Sequence, residues 1–263
     1  MIRCIVVALA ALFCLGSDCK NAGYDLSPLA VTMTRLNDGM NLRVTWQTRT
    51  PPPEEVQIYV DEGMETVKFS DYGFDVPGPA HWVSVCGRYY SDPSYTSTRL
   101  VEKDFMAVVT PALTLYPASD INPEHAAHGL LISRVDGGAR AVAYDDPDRV
   151  RCAYALVDSG DSLFLVAGPD LQYRGSFWSA TAGLAVRVEE DFDNLKTCPD
   201  GSAGWSRRVR LVAGETYALD ASGNSLSGFA KMKVEEINGK VVTLKVGVQT
   251  AEGLRWVITI TDQ

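Results

Sequence analysis

Histidine is scarce in this chain: three occur in 263 residues, His81, His125 and His128, which leaves few routes to imidazole-based catalysis. Nowhere is there a Gly-x-x-x-x-Gly-Lys-Ser/Thr loop, a Cys-x-x-Cys pair or a dinucleotide-binding glycine fingerprint. Phosphate-cradling, dithiol and nicotinamide chemistries therefore lack their usual frames. No Gly-x-Ser-x-Gly elbow occurs either; the strings around Ser159 and Ser225 read as turns, built from the Asp, Asn, Ser and Gly that tight connections favour. Basic residues are outnumbered, 24 against 33 acidic, for a formal net charge of −9. That balance argues against nucleic acid or anionic lipid as partner, since both are held by releasing counterions to basic patches. Basic residues occur in small groups such as Arg207-Arg208-Val209-Arg210, which reads as a solvated strand face. No asparagine begins an Asn-x-Ser/Thr acceptor, which points toward a bacterial rather than a eukaryotic secreted chain.

What is present starts at the N-terminus. Met1-Ile2-Arg3 precedes an apolar run over residues 4–15 and the small, polar Gly16-Ser17-Asp18, the order of a cleavable export signal at residues 1–17. A dozen apolar residues are too few to span a bilayer, which takes about 20. The expectation is a secreted or envelope-exposed protein with no transmembrane segment in the mature chain. Phe13 before Cys14 and Asp18 before Cys19 do not offer the small residue that precedes a lipidated cysteine. Of six cysteines, Cys4 and Cys14 leave with the signal, and Cys19, Cys86, Cys152 and Cys198 remain. Four thiols in an exported chain predict two disulfides in one of three connectivities, with Cys152–Cys198 and Cys19–Cys86 favoured. The competing reading of Cys86, in an apolar strand, is a buried thiol.

Beyond the signal, short alternating apolar runs broken by Gly, Pro, Asn and Asp predict an all-β chain of tandem β-sandwiches. Asn37-Asp38-Gly39 and Asp136-Gly137-Gly138 are hairpin turns by composition, and Pro51-Pro52-Pro53 must connect strands, lacking the donors of an inner one. An alternating strand with tryptophan (Leu42-Arg43-Val44-Thr45-Trp46), a proline-rich connection, a strand with tyrosine (Val56-Gln57-Ile58-Tyr59-Val60) and then Pro77-Gly78-Pro79-Ala80-His81-Trp82-Val83-Ser84-Val85 together resemble a fibronectin type III domain. An immunoglobulin-like domain of another subtype explains much of the same pattern. The resemblance implies a β-sandwich over 24–103 with Trp46 and Tyr59 in its core. A second sandwich is expected over 104–200, and a C-terminal β meander over 201–263, either separate or continuous with it. The meander rests on Glu215-Thr216-Tyr217-Ala218-Leu219, Phe229-Ala230-Lys231-Met232-Lys233-Val234 and Val241-Val242-Thr243-Leu244-Lys245-Val246, and is similar to short β modules of exported bacterial proteins.

Three groups of residues are candidates for function. Tyr89 and Tyr90, adjacent in a strand, cannot both face the core, so they and Tyr95 mark a contact surface. Glu124, His125 and His128 have the types, and in part the spacing, of a zinc or copper site. The acidic strings Asp145-Asp146-Pro147-Asp148 and Glu189-Glu190-Asp191-Phe192-Asp193 offer oxygens for calcium or a carboxylate pair for hydrolysis, though neither has the spacing of the twelve-residue calcium loop. The leading functional expectation is a noncatalytic recognition or adhesion protein that binds an extracellular protein or a glycan without a required cofactor. The alternatives are an extracellular metal- or carboxylate-dependent hydrolase and a secreted receptor-like decoy, because tandem sandwiches after a signal also resemble class II cytokine receptors and their viral mimics.

Overall fold

The computed structural model describes residues 26–90, 96–120, 122–125, 127–173, 176–222 and 228–259; the predicted signal peptide, Cys19 and Tyr95 lie outside them. Among the described residues every regular element is a strand or a 3-10 turn. The chain is all-β, built of several antiparallel sheets. It divides into two units, residues 1–34 with 42–104, and residues 35–41 with 105–263.

The first unit holds most of β1 (Val31–Leu36) and of β2 (Asn41–Trp46), and all of β3 (Glu55–Val60), β4 (Gly63–Lys68), β5 (Gly73–Val76), β6 (Trp82–Tyr89), β7 (Thr96–Ser97) and β8 (Val101–Asp104). One sheet has the order β1-β2-β5; the other has β4-β3-β6-β7, with β8 also paired to β6. The turn between β1 and β2 places Asn37, Asp38 and Gly39 at φ 50, 54 and 84°, a left-handed backbone that these three residue types tolerate best. Alternation then sorts the side chains. Leu42, Val44 and Trp46 of β2 are buried, as are Val56 and Ile58 of β3 and Val83, Val85 and Tyr89 of β6. The Trp46 indole donates to the Phe69 carbonyl at 2.9 Å. Tyr59 departs from the expectation of a core residue. With Val56 and Ile58 turned inward, the period of two puts Tyr59 on the opposite face beside Gln57, and its hydroxyl donates to Gln57 Oε1 at 3.0 Å.

The second unit contains β9 (Val108–Leu115), β10 (Ala127–Ser133), β11 (Gly138–Ala143), β12 (Tyr154–Ser159), β13 (Ser162–Ala167), β14 (Gln172–Tyr173), β15 (Ser176–Phe177), β16 (Leu184–Val188), β17 (Arg208–Arg210), β18 (Thr216–Asp220), β19 (Phe229–Asn238) and β20 (Val241–Val248). Two five-stranded sheets, β11-β10-β12-β13-β17 and β16-β18-β19-β20-β9, share one apolar core. Leu130, Ile132, Tyr154, Leu156 and Leu165 enter it from the first, and Tyr217, Leu219, Met232, Leu244 and Val246 from the second. Residues 201–263 thus supply strands to both sheets of the same sandwich. Tyr154 ties the layers together: its buried hydroxyl donates to the carbonyls of Leu184 and Asp220 at 2.7 and 3.0 Å, and burial pushes its pKa up.

Each sheet of this unit also buries its outer face. Trp178, Cys152 and Leu171 pack over Leu131, Val142 and Ala155 on one side. On the other, Leu195, Cys198, Trp205 and Val257 pack over Val188, Ala218 and Phe229. This layering corrects the favoured disulfide. Cys152 and Cys198 are free, buried thiols on opposite outer faces, with both sheets between them. Stacked sheets lie about 10 Å apart, whereas a disulfide needs Cα atoms within about 7 Å. Burial instead pushes both thiols up to about 12. Cys86 is buried in β6, and its expected partner Cys19 lies outside the described residues.

Candidate functional site

The tyrosines divide as alternation requires. Tyr89 points into the first unit, 1% exposed, with its hydroxyl donating to the Pro51 carbonyl at 3.2 Å. Its place is in the core, and it is not a contact residue. Tyr90 is 42% exposed and held at both ends: its backbone N–H donates to Glu54 Oε1 at 3.1 Å and its hydroxyl to Glu55 Oε2 at 2.9 Å. The register of β3 against β6 sets Glu55 opposite Arg88 and Gln57 opposite Cys86, which puts Tyr59, Gln57, Glu55 and Arg88 on one face. Arg88 Nε donates to Gln57 Oε1 at 2.7 Å, the same oxygen that accepts from Tyr59. The result is a hydrogen-bonded patch of two tyrosines, an arginine, an amide and two carboxylates on a rigid sheet. Only Tyr90 of the patch was a sequence candidate. The others become visible once pairing register is known, because cross-strand neighbours come from segments about 30 residues apart.

The histidines of the second unit lie beside the end of β9. A 3-10 turn at Pro123–His125 lays the His125 ring flat on Tyr116, centroids 4.1 Å apart and planes within 6°. His125 Nδ1 is 2.8 Å from Asp120 Oδ2. The Asn122 N–H, and then the bond to His125, hold the Asp120 carboxyl below its usual range. His128 goes elsewhere: it is buried, its Nδ1 donates to the Tyr116 carbonyl at 3.1 Å, and its ring meets Trp178 edge-on. Glu124 is exposed. The structure therefore does not gather the predicted metal ligands, and among the described residues no three His, Cys, Asp or Glu side chains form a metal-sized group.

No family model and no curated protein matches the chain. Among solved structures it is similar to a DUF4466 family protein from Parabacteroides merdae, with 9% identity and a TM-score of 0.38 over 85% of this chain and 99% of that one.

The Asp120–His125 pair can hold an imidazole in one orientation, as acid–base sites require. Among the described residues no hydroxyl or thiol hydrogen-bonds to this imidazole. The neighbouring Ser119 hydroxyl donates to Asp158, whose carboxyl is held low first by Lys240 and then by Ser119. A second pair follows the same plan: His81 Nδ1 lies 3.1 Å from Asp61 Oδ2, while Asp61 Oδ1 accepts the N–H groups of His81 and Trp82. That pair closes a chain reversal, which is a structural use. Of the acidic strings, Asp146 and Asp148 both pair with Arg140, and Asp193 lies 3.5 Å from Lys245. These three carboxylates already have cations of the chain itself beside them.

Proposed function

We propose that this is an exported, noncatalytic recognition protein that engages another protein or a surface glycan through the tyrosine-bearing face of its first unit. The observation that carries the reading is Tyr90, exposed yet fixed at both backbone and hydroxyl, next to the Tyr59–Gln57–Arg88 network. Tyrosine and arginine are the side chains that concentrate binding energy at interfaces, and fixing them beforehand lowers the ordering cost of binding. A sheet of the first, second and fifth strands, paired with one of the third, fourth, sixth and seventh, supports a fibronectin type III-like reading of this unit, a fold widely used for recognition. Export rests on the order of the first 17 residues. Mature protein is expected to begin just after Gly16 or Ser17, which N-terminal sequencing of extracellular material checks.

The test is capture. Immobilised protein is presented with a glycan array and with native extracellular material, and the retained partner is then titrated against Tyr90→Ala and Tyr59→Ala. Affinity is expected to fall about tenfold or more for the pair, with the melting temperature within about 3 °C of the parent. A partner bound equally well by both variants rules this face out.

A further inference from the structure

In the second unit, Arg134, Arg140, Arg151, Arg187, Arg207 and Arg255 each reach a carboxylate. Arg208 and Arg210 do not, among the described residues, although they belong to a chain with a net charge of −9. Both are exposed. They sit two apart on β17, so their side chains leave the same face of the sheet about 7 Å apart along the strand, while Val209 between them packs against the core. The aromatic ring of Phe164 organises the pair. It lies directly opposite Arg210 in register, and the Arg208 guanidinium stacks over it at 4.1 Å. The backbone of this edge strand is already engaged: the Ser206 hydroxyl accepts the Arg208 N–H and donates to the Arg208 carbonyl, and the Tyr217 hydroxyl donates to the Arg210 carbonyl at 2.8 Å. Two like charges are thus held side by side on one strand with no carboxylate paired to either among the described residues, an arrangement that an anion would complement.

We propose that Arg208 and Arg210 form a binding strip for an acidic polysaccharide, a chain of sulfated or uronate sugars. Planar guanidinium forks match sulfate and carboxylate oxygens two at a time. The capped strand edge disfavours an acidic peptide adding as a further strand. Duplex nucleic acid needs a broad basic surface, which a strip two cations wide on an acidic protein does not supply; a saccharide chain is bound locally, within the screening length of about 8 Å at physiological salt. This site stands apart from the tyrosine face, and either can fail without the other.

Binding of the full chain to immobilised sulfated polysaccharide and to polyuronate, followed across salt concentrations, tests the strip. Retention at low salt is expected, with a slope of log affinity on log salt of about −2, and with a loss of about tenfold or more in Arg208→Ala/Arg210→Ala. Arg210→Ala alone leaves the Arg208–Phe164 stack in place and is expected to weaken binding without unfolding. Arg99→Ala/Lys103→Ala removes the same charge from the first unit and should bind as the parent does. No retention at low salt, an equal loss in that control, or tighter binding of polyglutamate or duplex DNA would overturn the proposal.

Discussion

Lys231 offers the sharpest test of how the second sandwich is layered. It is fully buried on β19, its ammonium donating to the Leu195 carbonyl at 3.0 Å and lying 4.7 Å from the Phe192 ring centre. Burial is the first cause that pulls its pKa from 10.5 to about 8; Lys245 and Asp193 act in opposite directions, and Cys198 faces it as a neutral thiol. At about 1.36 kcal/mol per pH unit, that fall penalises the charged form by about 3 kcal/mol. Below pH 8 the lysine is protonated in folded and unfolded chains alike, and the folded state carries the whole penalty. Between about 8 and 10.5 the unfolded chain binds the extra proton, so stability rises with pH and the penalty is gone at the upper end. Lys231→Met removes both the charge and a hydrogen bond to a buried carbonyl, whose loss costs about 1–3 kcal/mol. The two nearly cancel near neutral pH. Urea unfolding of parent and variant at steps from pH 7 to 10 should therefore show the parent gaining about 2–3 kcal/mol on the variant as pH rises. Parallel curves over that range would mean that the ammonium is hydrated, and that residues 189–198 do not seal this face.

Two further outcomes follow from the outer layers. Cys152 and Cys198, both pushed up to about 12 by burial, should resist alkylation in the native protein near pH 8, and should react in denaturant without reductant; a mass showing them joined would refute the layering. Gly129 lies under Trp178, and a Cβ there would fall 2.6 Å from the indole. Gly129→Ala is expected to cost about 1–3 kcal/mol by displacing the ring, measured by denaturant unfolding; a variant as stable as its parent would place Trp178 elsewhere.

Sequence pattern located most strands because alternation reports directly on a sheet with one wet face. Leu42-Arg43-Val44 belongs to such a sheet, with Arg43 half-buried between two buried neighbours, whereas Val56, Gln57 and Ile58 are all buried; turns such as Asn37-Asp38-Gly39 carry their own backbone chemistry. The same rule misled where a second layer intervenes. Lys231 and Lys233 look equally solvent-facing beside Ala230, Met232 and Val234, yet the first is sealed under Phe192 and Leu195 while the second is half-buried. Cysteine counting failed for Cys152 and Cys198 for a related reason. It knows parity and compartment, but not which side of a sheet each thiol occupies. The His125–Asp120 contact was missed because the sequence draws attention to His-x-x-His, whereas a strand at His128 and a 3-10 turn at His125 send the two rings apart.

The loops that cover the second sandwich also decide where it can bind anything. A sheet face becomes a recognition surface only where no loop lies on it. One outer face is closed by Leu195, Cys198, Trp205 and Val257. The other is closed only toward Cys152, Leu171 and Trp178. Ala155 and, opposite it on β13, Val166 are sealed, and the cover ends farther along β13 and on β17: Phe164 is half-buried under one guanidinium, and Arg208 and Arg210 are exposed. Burying an unpaired arginine costs several kcal/mol, so two neighbouring arginines without carboxylates keep a loop from extending over this corner. The charge that leaves the strip uncovered is the same charge that suits it to an anionic chain.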